Sequence, residues 1–143
     1  MGKTLWPKKG SDLSSKVMPV VVGPPSSGTR LVWRILNASP DLYPYHDNKH
    51  GKNLWDRDKR TVVLVYRDKI SRLSSCQRRG LDTKDYPIWE ALLSNYPRAP
   101  IVKYSDVVTD VNYVIEQLSV HFNIEAWDFN EEIYDGDEKY VGV

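Results

Sequence analysis

Three groups of side chains in this sequence are of the kinds that hold and move anionic groups. The first lies in Val20-Val21-Val22-Gly23-Pro24-Pro25-Ser26-Ser27-Gly28-Thr29-Arg30-Leu31. A β-branched run ended by Gly and Pro predicts a buried strand, and Leu31, Val32, Ile35 and Leu36 fall on one helical face before the stop Ala38-Ser39-Pro40. A turn that carries a strand into a helix aims unpaired N–H groups at one point. The partial positive charge of the helix N-terminus stabilises an anion there. Ser26, Ser27 and Thr29 add hydroxyls, and Arg30 adds a cation in the first helical turn. The second group is Arg67, which follows the apolar run Val62-Val63-Leu64-Val65, with Ser75 on the segment after it. A guanidinium at a strand end is a forked, permanently charged donor, and a residue two turns into the next helix can face the same anion. The third is Tyr45-His46-Asp47-Asn48-Lys49-His50, where a neutral imidazole, His46 first, can accept a proton.

The elements that must position these groups alternate along the chain. The pattern predicts a strand over 17–23, a helix over 28–38, a short strand over 42–45 and a long polar connection to residue 60. A strand over 61–66 and a helix over 69–79 follow, then a helix starting at Pro87 and turning at Tyr96-Pro97, a strand over 100–104 and a helix over 110–122. Strands separated by helices imply a parallel sheet covered on both faces, with a ligand at the strands' carboxyl ends. The expectation is one α/β domain over 1–143, with a surface arm over 1–16 and an acidic, aromatic tail over 125–143.

Composition narrows the function classes. The chain has 143 residues and a hydrophobic content of 41%, enough for a real core. No apolar run approaches a membrane span, and the cytoplasm is the expected compartment. The single cysteine, Cys76, excludes an internal disulfide and argues against structural zinc. His121 stands apart from His46 and His50, so no three-histidine metal site is expected. The net charge of +1 hides an asymmetry. Seven acidic residues against one lysine make residues 125–143 strongly negative, while Lys49 to Arg79 holds ten Lys or Arg against three Asp. That basic stretch surrounds Arg67 and fits a multiply charged nucleotide. Nucleic acid is the competing ligand, but no nucleic-acid-binding module is recognisable.

Gly23-x4-Gly28 matches the first half of a nucleoside triphosphatase P-loop, yet Thr29-Arg30 stands where that motif needs Lys and then Ser or Thr. The segment Pro25-Ser26-Ser27-Gly28-Thr29 resembles instead the Pro-Lys/Arg-Ser-Gly-Thr turn of the sulfotransferase family, which holds the 5′-phosphosulfate of 3′-phosphoadenosine-5′-phosphosulfate (PAPS). Arg67 and Ser75 stand at the spacing of the family's Arg and Ser that grip the 3′-phosphate. Ile101-Val102-Lys103-Tyr104-Ser105-Asp106 is similar to the family's late strand ending in Tyr-Glu-Asp-Leu, whose Tyr lies near adenine, and Phe122-Asn123-Ile124 is similar to its Phe-x-Gly-Ile ending. The resemblance covers roughly residues 17 to 124 in three blocks.

It implies a minimal P-loop-like sulfotransferase fold and transfer of a sulfuryl group from PAPS to a hydroxyl or amine acceptor, with no required metal. Ser26, Ser27, Gly28, Thr29 and Arg30 would hold the 5′ end, Arg67 and Ser75 the 3′-phosphate, Tyr104 the adenine, and His46 would be the base. Two departures stand out. Ser26 replaces the loop cation, which Arg30, Lys49 or Lys52 would have to supply, and the family's C-terminal Arg-Lys-Gly segment is missing. A small acceptor in an open cleft, a large acceptor such as a glycan or protein, or a partner subunit completing the site would each suit so short a chain. The alternatives are a non-catalytic module that binds a phosphorylated adenosine nucleotide and, third, a diverged nucleotide kinase. Each residue also has a plain structural role open to it: a tight turn, a surface Arg, a core Tyr, an exposed His, a solvated basic face.

Overall fold

The computed structural model describes residues 16–52, 61–81 and 87–133. Among the described residues, nine elements run in the order β1 (Val20–Val22), α1 (Thr29–Asn37), β2 (Tyr45–His46), β3 (Val62–Tyr66), α2 (Lys69–Arg78), α3 (Trp89–Asn95), β4 (Ile101–Lys103), α4 (Tyr104–Thr109) and α5 (Val111–Phe122). The strands form one parallel sheet in the order β2-β1-β3-β4. Val21 is level with His46 on one side and with Val63 on the other, and Val65 is level with Val102.

Side-chain alternation along each strand splits the core in two. Val21, Val63, Val65 and Val102 pack with Val32, Ile35 and Leu36 of α1, Val107 of α4, and Val114, Ile115 and Leu118 of α5. Val20, Val22, Val62 and Leu64 point the other way and pack with Leu92 and Tyr96. The sheet is therefore covered by helices on both faces, as the continuous Val/Leu runs require of parallel strands buried on both sides.

The order of the strands fixes where a ligand can sit. After β1 the chain crosses by α1 to β2, and after β3 it crosses by α2 and α3 to β4, at the opposite edge of the sheet. Adjacent strands whose connections diverge leave a crevice between their carboxyl ends. The turn 23–28 and Arg67 are the residues at those two ends.

Three expectations change in detail. The first strand is shorter than 17–23, with Val17 only bridging Leu42, and the short strand falls on Tyr45 and His46 rather than 42–45. The late strand stops at Lys103, and Tyr104 opens a six-residue helix that the periodicity did not predict. Only Val107 of that helix is buried, so it had no apolar repeat to read. Asp110 then starts α5, its side chain accepting from the Tyr113 amide. The acidic segment, as far as residue 133, lies along α1. Trp127 is buried and its Nε1 donates to Ile35 O at 2.8 Å, Phe129 packs beside it, and Glu131 pairs with Arg34 at 3.5 Å. That pair is half exposed on both sides and contributes little.

No described helix is long and apolar enough to cross a membrane. Residues 1–15, 53–60, 82–86 and 134–143 fall outside the described residues, and with them most of the arm, Arg57, Lys59 and Arg60 of the basic stretch, and the end of the tail.

Candidate functional site

The turn between β1 and α1 is built so that its amides stay open. Gly23 is hemmed in: an added Cβ would lie 2.9 Å from Thr29 Cγ2 and 2.9 Å from Val65 O. Ser26 and Gly28 both take left-handed backbone angles, φ 62° and 92°, on either side of Ser27. Handedness that alternates in this way curls the chain into a concave set of N–H groups. The Ser27 amide closes the turn on Pro24 O, and the Val32 amide is the first to be satisfied by the helix, on Gly28 O. Among the described residues, no acceptor takes the amides of Gly28, Thr29 or Arg30, and the N-cap Gly28 offers no side chain to do so. A side chain at Gly28 is excluded twice, by its φ and by Tyr104, whose Cδ1 would lie 2.7 Å from the new Cβ.

Arg67 comes to this turn from β3. It is 7% exposed, its Nη1 donates to Ser26 O at 3.1 Å, and its Cζ lies 4.3 Å from the centre of the Tyr104 ring. A guanidinium held between a carbonyl and an aromatic face is fixed in direction and largely out of water. Helix α2 docks on the same turn. Cys76 Sγ donates to Pro25 O at 3.5 Å, and Arg79 Nη1 donates to Ser26 Oγ at 2.8 Å. Ser75 is buried at 1% exposure beside Cys76, without a hydrogen bond from its side chain to the turn. The structure thus brings together Ser26, Ser27, Gly28, Arg67 and Tyr104, sets Ser75 one residue from the contact, and leaves Arg30 exposed on the first turn of α1.

Thr29 and His46 form a separate pair on the β2 side. The register that places His46 level with Val21 brings its Nε2 within 2.8 Å of Thr29 Oγ1, and its Nδ1 lies 2.8 Å from Asn48 Oδ1. The Asn48 oxygen can only accept, so the proton sits on Nδ1, and Nε2 offers its lone pair to the Thr29 hydroxyl. Thr29 therefore points its oxygen at the histidine rather than into the turn. His50 Nδ1 donates to Gly23 O at 3.1 Å, and the Asp47 carboxylate receives the amides of Lys49 and Gly51, which ties down the loop carrying both imidazoles.

Both histidines titrate below the usual imidazole value of 6.5. Burial is the main cause for each, opposed by the Asn48 bond at His46 and the Gly23 carbonyl at His50, and Arg30 lowers both further. They are neutral in the fold at pH 7. Unfolded imidazoles take up protons near 6.5 while these do not, so the stabilisation is complete above pH 6.5 and is lost as pH falls through the lower folded values. The midpoint of thermal unfolding is expected to fall as pH is lowered below 6.5, and His46→Gln with His50→Gln is expected to flatten that slope.

Sequence reasoning missed Arg79. It left the charge absent at Ser26 to Arg30, Lys49 or Lys52, and it is Arg79, at the C-terminal cap of α2, that reaches the Ser26 hydroxyl. Arg78-Arg79-Gly80 carried the only available signal, a cationic helix end before a Gly, here with φ 69°. Among the described residues, no group of three or more His, Cys, Asp or Glu could hold a metal ion. Comparisons with protein-family models, curated proteins and solved structures found no match to this chain.

Proposed function

We propose that this protein is a minimal sulfotransferase that binds PAPS in the crevice between the carboxyl ends of β1 and β3, in a P-loop-like sulfotransferase fold. One observation carries the reading: two segments separated by 41 positions meet there, Arg67 donating to Ser26 O at 3.1 Å in a turn whose following amides are open. A cluster of unpaired N–H groups, a helix N-terminus and a fixed guanidinium together favour a ligand with more than one negative group. Tyr104 adds an aromatic surface at the same place.

The donor supplies an activated sulfuryl group, whose bond to the bridging phosphate oxygen breaks as the acceptor oxygen or nitrogen bonds to sulfur. Within the chain, the amides of Gly28, Thr29 and Arg30 receive the charge that develops on the departing phosphate. Arg79, next to Ser26, supplies the cation that the turn itself lacks. His46 Nε2 takes the acceptor's proton, exchanging its hydrogen bond with Thr29 for one with the acceptor, while Asn48 holds the ring through Nδ1.

A non-catalytic nucleotide binder is the second reading, favoured by Ser26 in place of a loop cation and by the occupation of His46 Nε2 by Thr29. Labelled PAPS with an acceptor panel separates the two, transfer to any acceptor excluding the second.

The binding itself is tested by thermal unfolding with 3′-phosphoadenosine-5′-phosphate and no magnesium. A ligand at 100 times its Kd stabilises by about 2.7 kcal/mol. Arg67→Ala is expected to lower the affinity about 10- to 100-fold, the loss of one or two hydrogen bonds to a charged group, with Arg67→Lys recovering part of it. Stabilisation by ATP alone, and only with magnesium, would count against the sulfotransferase reading and favour a phosphotransferase.

A further inference from the structure

The sheet ends at β4, and among the described residues no strand lies beyond it. Along a parallel strand, alternate residues turn both backbone groups to the same side. Pro100 O receives the Leu64 amide, so Pro100, Val102 and Tyr104 face β3, while Ala99, Ile101 and Lys103 face outward. Pro100 thus takes no donor away from the outward row. Two of the outward groups are already satisfied: the Ala99 amide donates to Tyr96 O, and Lys103 O, the N-cap carbonyl of α4, accepts the first bond of that helix. Among the described residues nothing takes the other four, which are Ala99 O, both groups of Ile101 and the Lys103 amide. Such a row is a template for another strand.

Apolar side chains flank the open edge on both faces of the sheet. Between β4 and α5 runs a groove of about 460 Å³, whose lining includes Lys103, Asp106, Tyr113, Gln117 and Val120. Helix α5 gives Val114, Ile115 and Leu118 to the core, and Tyr113, Gln117 and Val120 form a second stripe at helical spacing beside them. Tyr113 is 47% exposed and Val120 81%. On the opposite face Ile101, level with Leu64, is 47% exposed as well. Large apolar side chains gathered along one border mark a contact surface. The groove carries Lys103 and Asp106, one charge of each sign, so this border does not repel a copy of itself.

We propose that β4 pairs antiparallel with β4 of a second copy of this chain, about a two-fold axis at Ile101, joining two sheets into one. The open groups select this occupant. Under that axis Ile101 exchanges both of its bonds with Ile101 of the second copy, and each Lys103 amide meets the Ala99 carbonyl opposite it. The pairing would next call on the Ala99 amide and Lys103 O, and these are the two groups that the fold has already used. A copy of the chain withholds the same two groups, whereas an unrelated strand presents them and leaves them unpaired. On one face of the joined sheet Ile101 packs against Ile101. On the other, the stripe centred on Gln117 lies against its own copy, Tyr113 and Val120 covering one another's apolar surface.

Sedimentation equilibrium of the full chain is expected to show a concentration-dependent species of twice 16.5 kDa. Ile101→Lys sets two like charges directly opposite each other and is expected to raise the dimer Kd about 10-fold or more, and Val120→Glu, on the exposed side of α5, about 3- to 10-fold. Disulfide trapping reads the register. Residues that exchange both bonds have Cα atoms about 5.5 Å apart, within disulfide range, so Ile101→Cys is expected to give a covalent dimer on mild oxidation while the buried Cys76 stays reduced. Lys103→Cys faces Ala99 rather than its own copy, and is expected to stay uncrosslinked. Should Ile101→Lys not fold, as read by circular dichroism, Val120→Glu at its exposed position carries the comparison. A wild type that stays monomeric up to about 1 mM overturns the proposal and leaves the edge to a strand of another protein. A dimer that neither variant weakens, or that Ile101→Cys traps no better than Lys103→Cys, overturns it too.

Discussion

Trp127→Ala is expected to destabilise the fold by about 3–5 kcal/mol, the cost of deleting a large buried aromatic. Trp127 lies beyond the last helix, in a segment whose composition is acidic, yet it is 8% exposed and sits in the cluster formed by Val32, Ile35, Leu36 and Leu118. Its Nε1 donates to Ile35 O at 2.8 Å, which fastens the segment to the last turn of α1. Trp127→Phe keeps most of the apolar bulk and loses the donor, for a cost of about 1 kcal/mol. Urea unfolding resolves the two variants as graded shifts in midpoint with an unchanged slope. A change within about 0.5 kcal/mol for the alanine variant, the size typical of a surface position, would show that the segment is only laid on the molecule. Because α1 carries the open amides at its N-terminus, the loosening is also expected to weaken anion binding.

His46→Ala is expected to lower sulfuryl transfer by about 10²- to 10⁴-fold, the usual worth of a positioned general base. Affinity for 3′-phosphoadenosine-5′-phosphate is expected to stay within about 2-fold, since the histidine stands on the β2 side of the turn, away from Arg67. The rate should also report the histidine's titration. With its folded value held below 6.5 by burial, activity is expected to be flat at and above pH 7 and to fall only as pH drops through that lower value. Single-turnover measurements with labelled PAPS across pH 5 to 8 would read both effects. Wild-type rates in the alanine variant would move the proton acceptor elsewhere, with His50, bonded to Gly23 O, the next to test.

Most of the fold was open to reading because its signals are local. Val62-Val63-Leu64-Val65 and Val20-Val21-Val22 are β-branched or apolar runs of the length that a strand buried on both faces needs, and each is followed by turn residues and a helical repeat. The site was legible to the extent that it is contiguous. The turn 23–28 could be read as an anion cradle because strand, Gly-bounded turn and helix are consecutive. The six-residue helix opened by Tyr104 could not, because a segment so short with one buried residue has no period.

The sequence by itself determined the elements other than α4, the parallel α/β class, and that Ser26 to Arg30, Arg67 and His46 each stand where a strand ends or just passes its end. Only the tertiary structure decided which of them meet. Sheet order sends the connections of β1 and β3 to opposite edges, and that alone puts Arg67 and Arg79 on Ser26. Register alone turns Thr29 toward His46. The aromatics of the acidic segment carry no local signal of which apolar face they join, and it is the cluster on α1 that takes Trp127 and Phe129. The physical reason is common to all of these. Local periodicity reflects how a residue is wound into its own element, whereas contacts between distant residues depend on how the layers are stacked, which no single segment encodes.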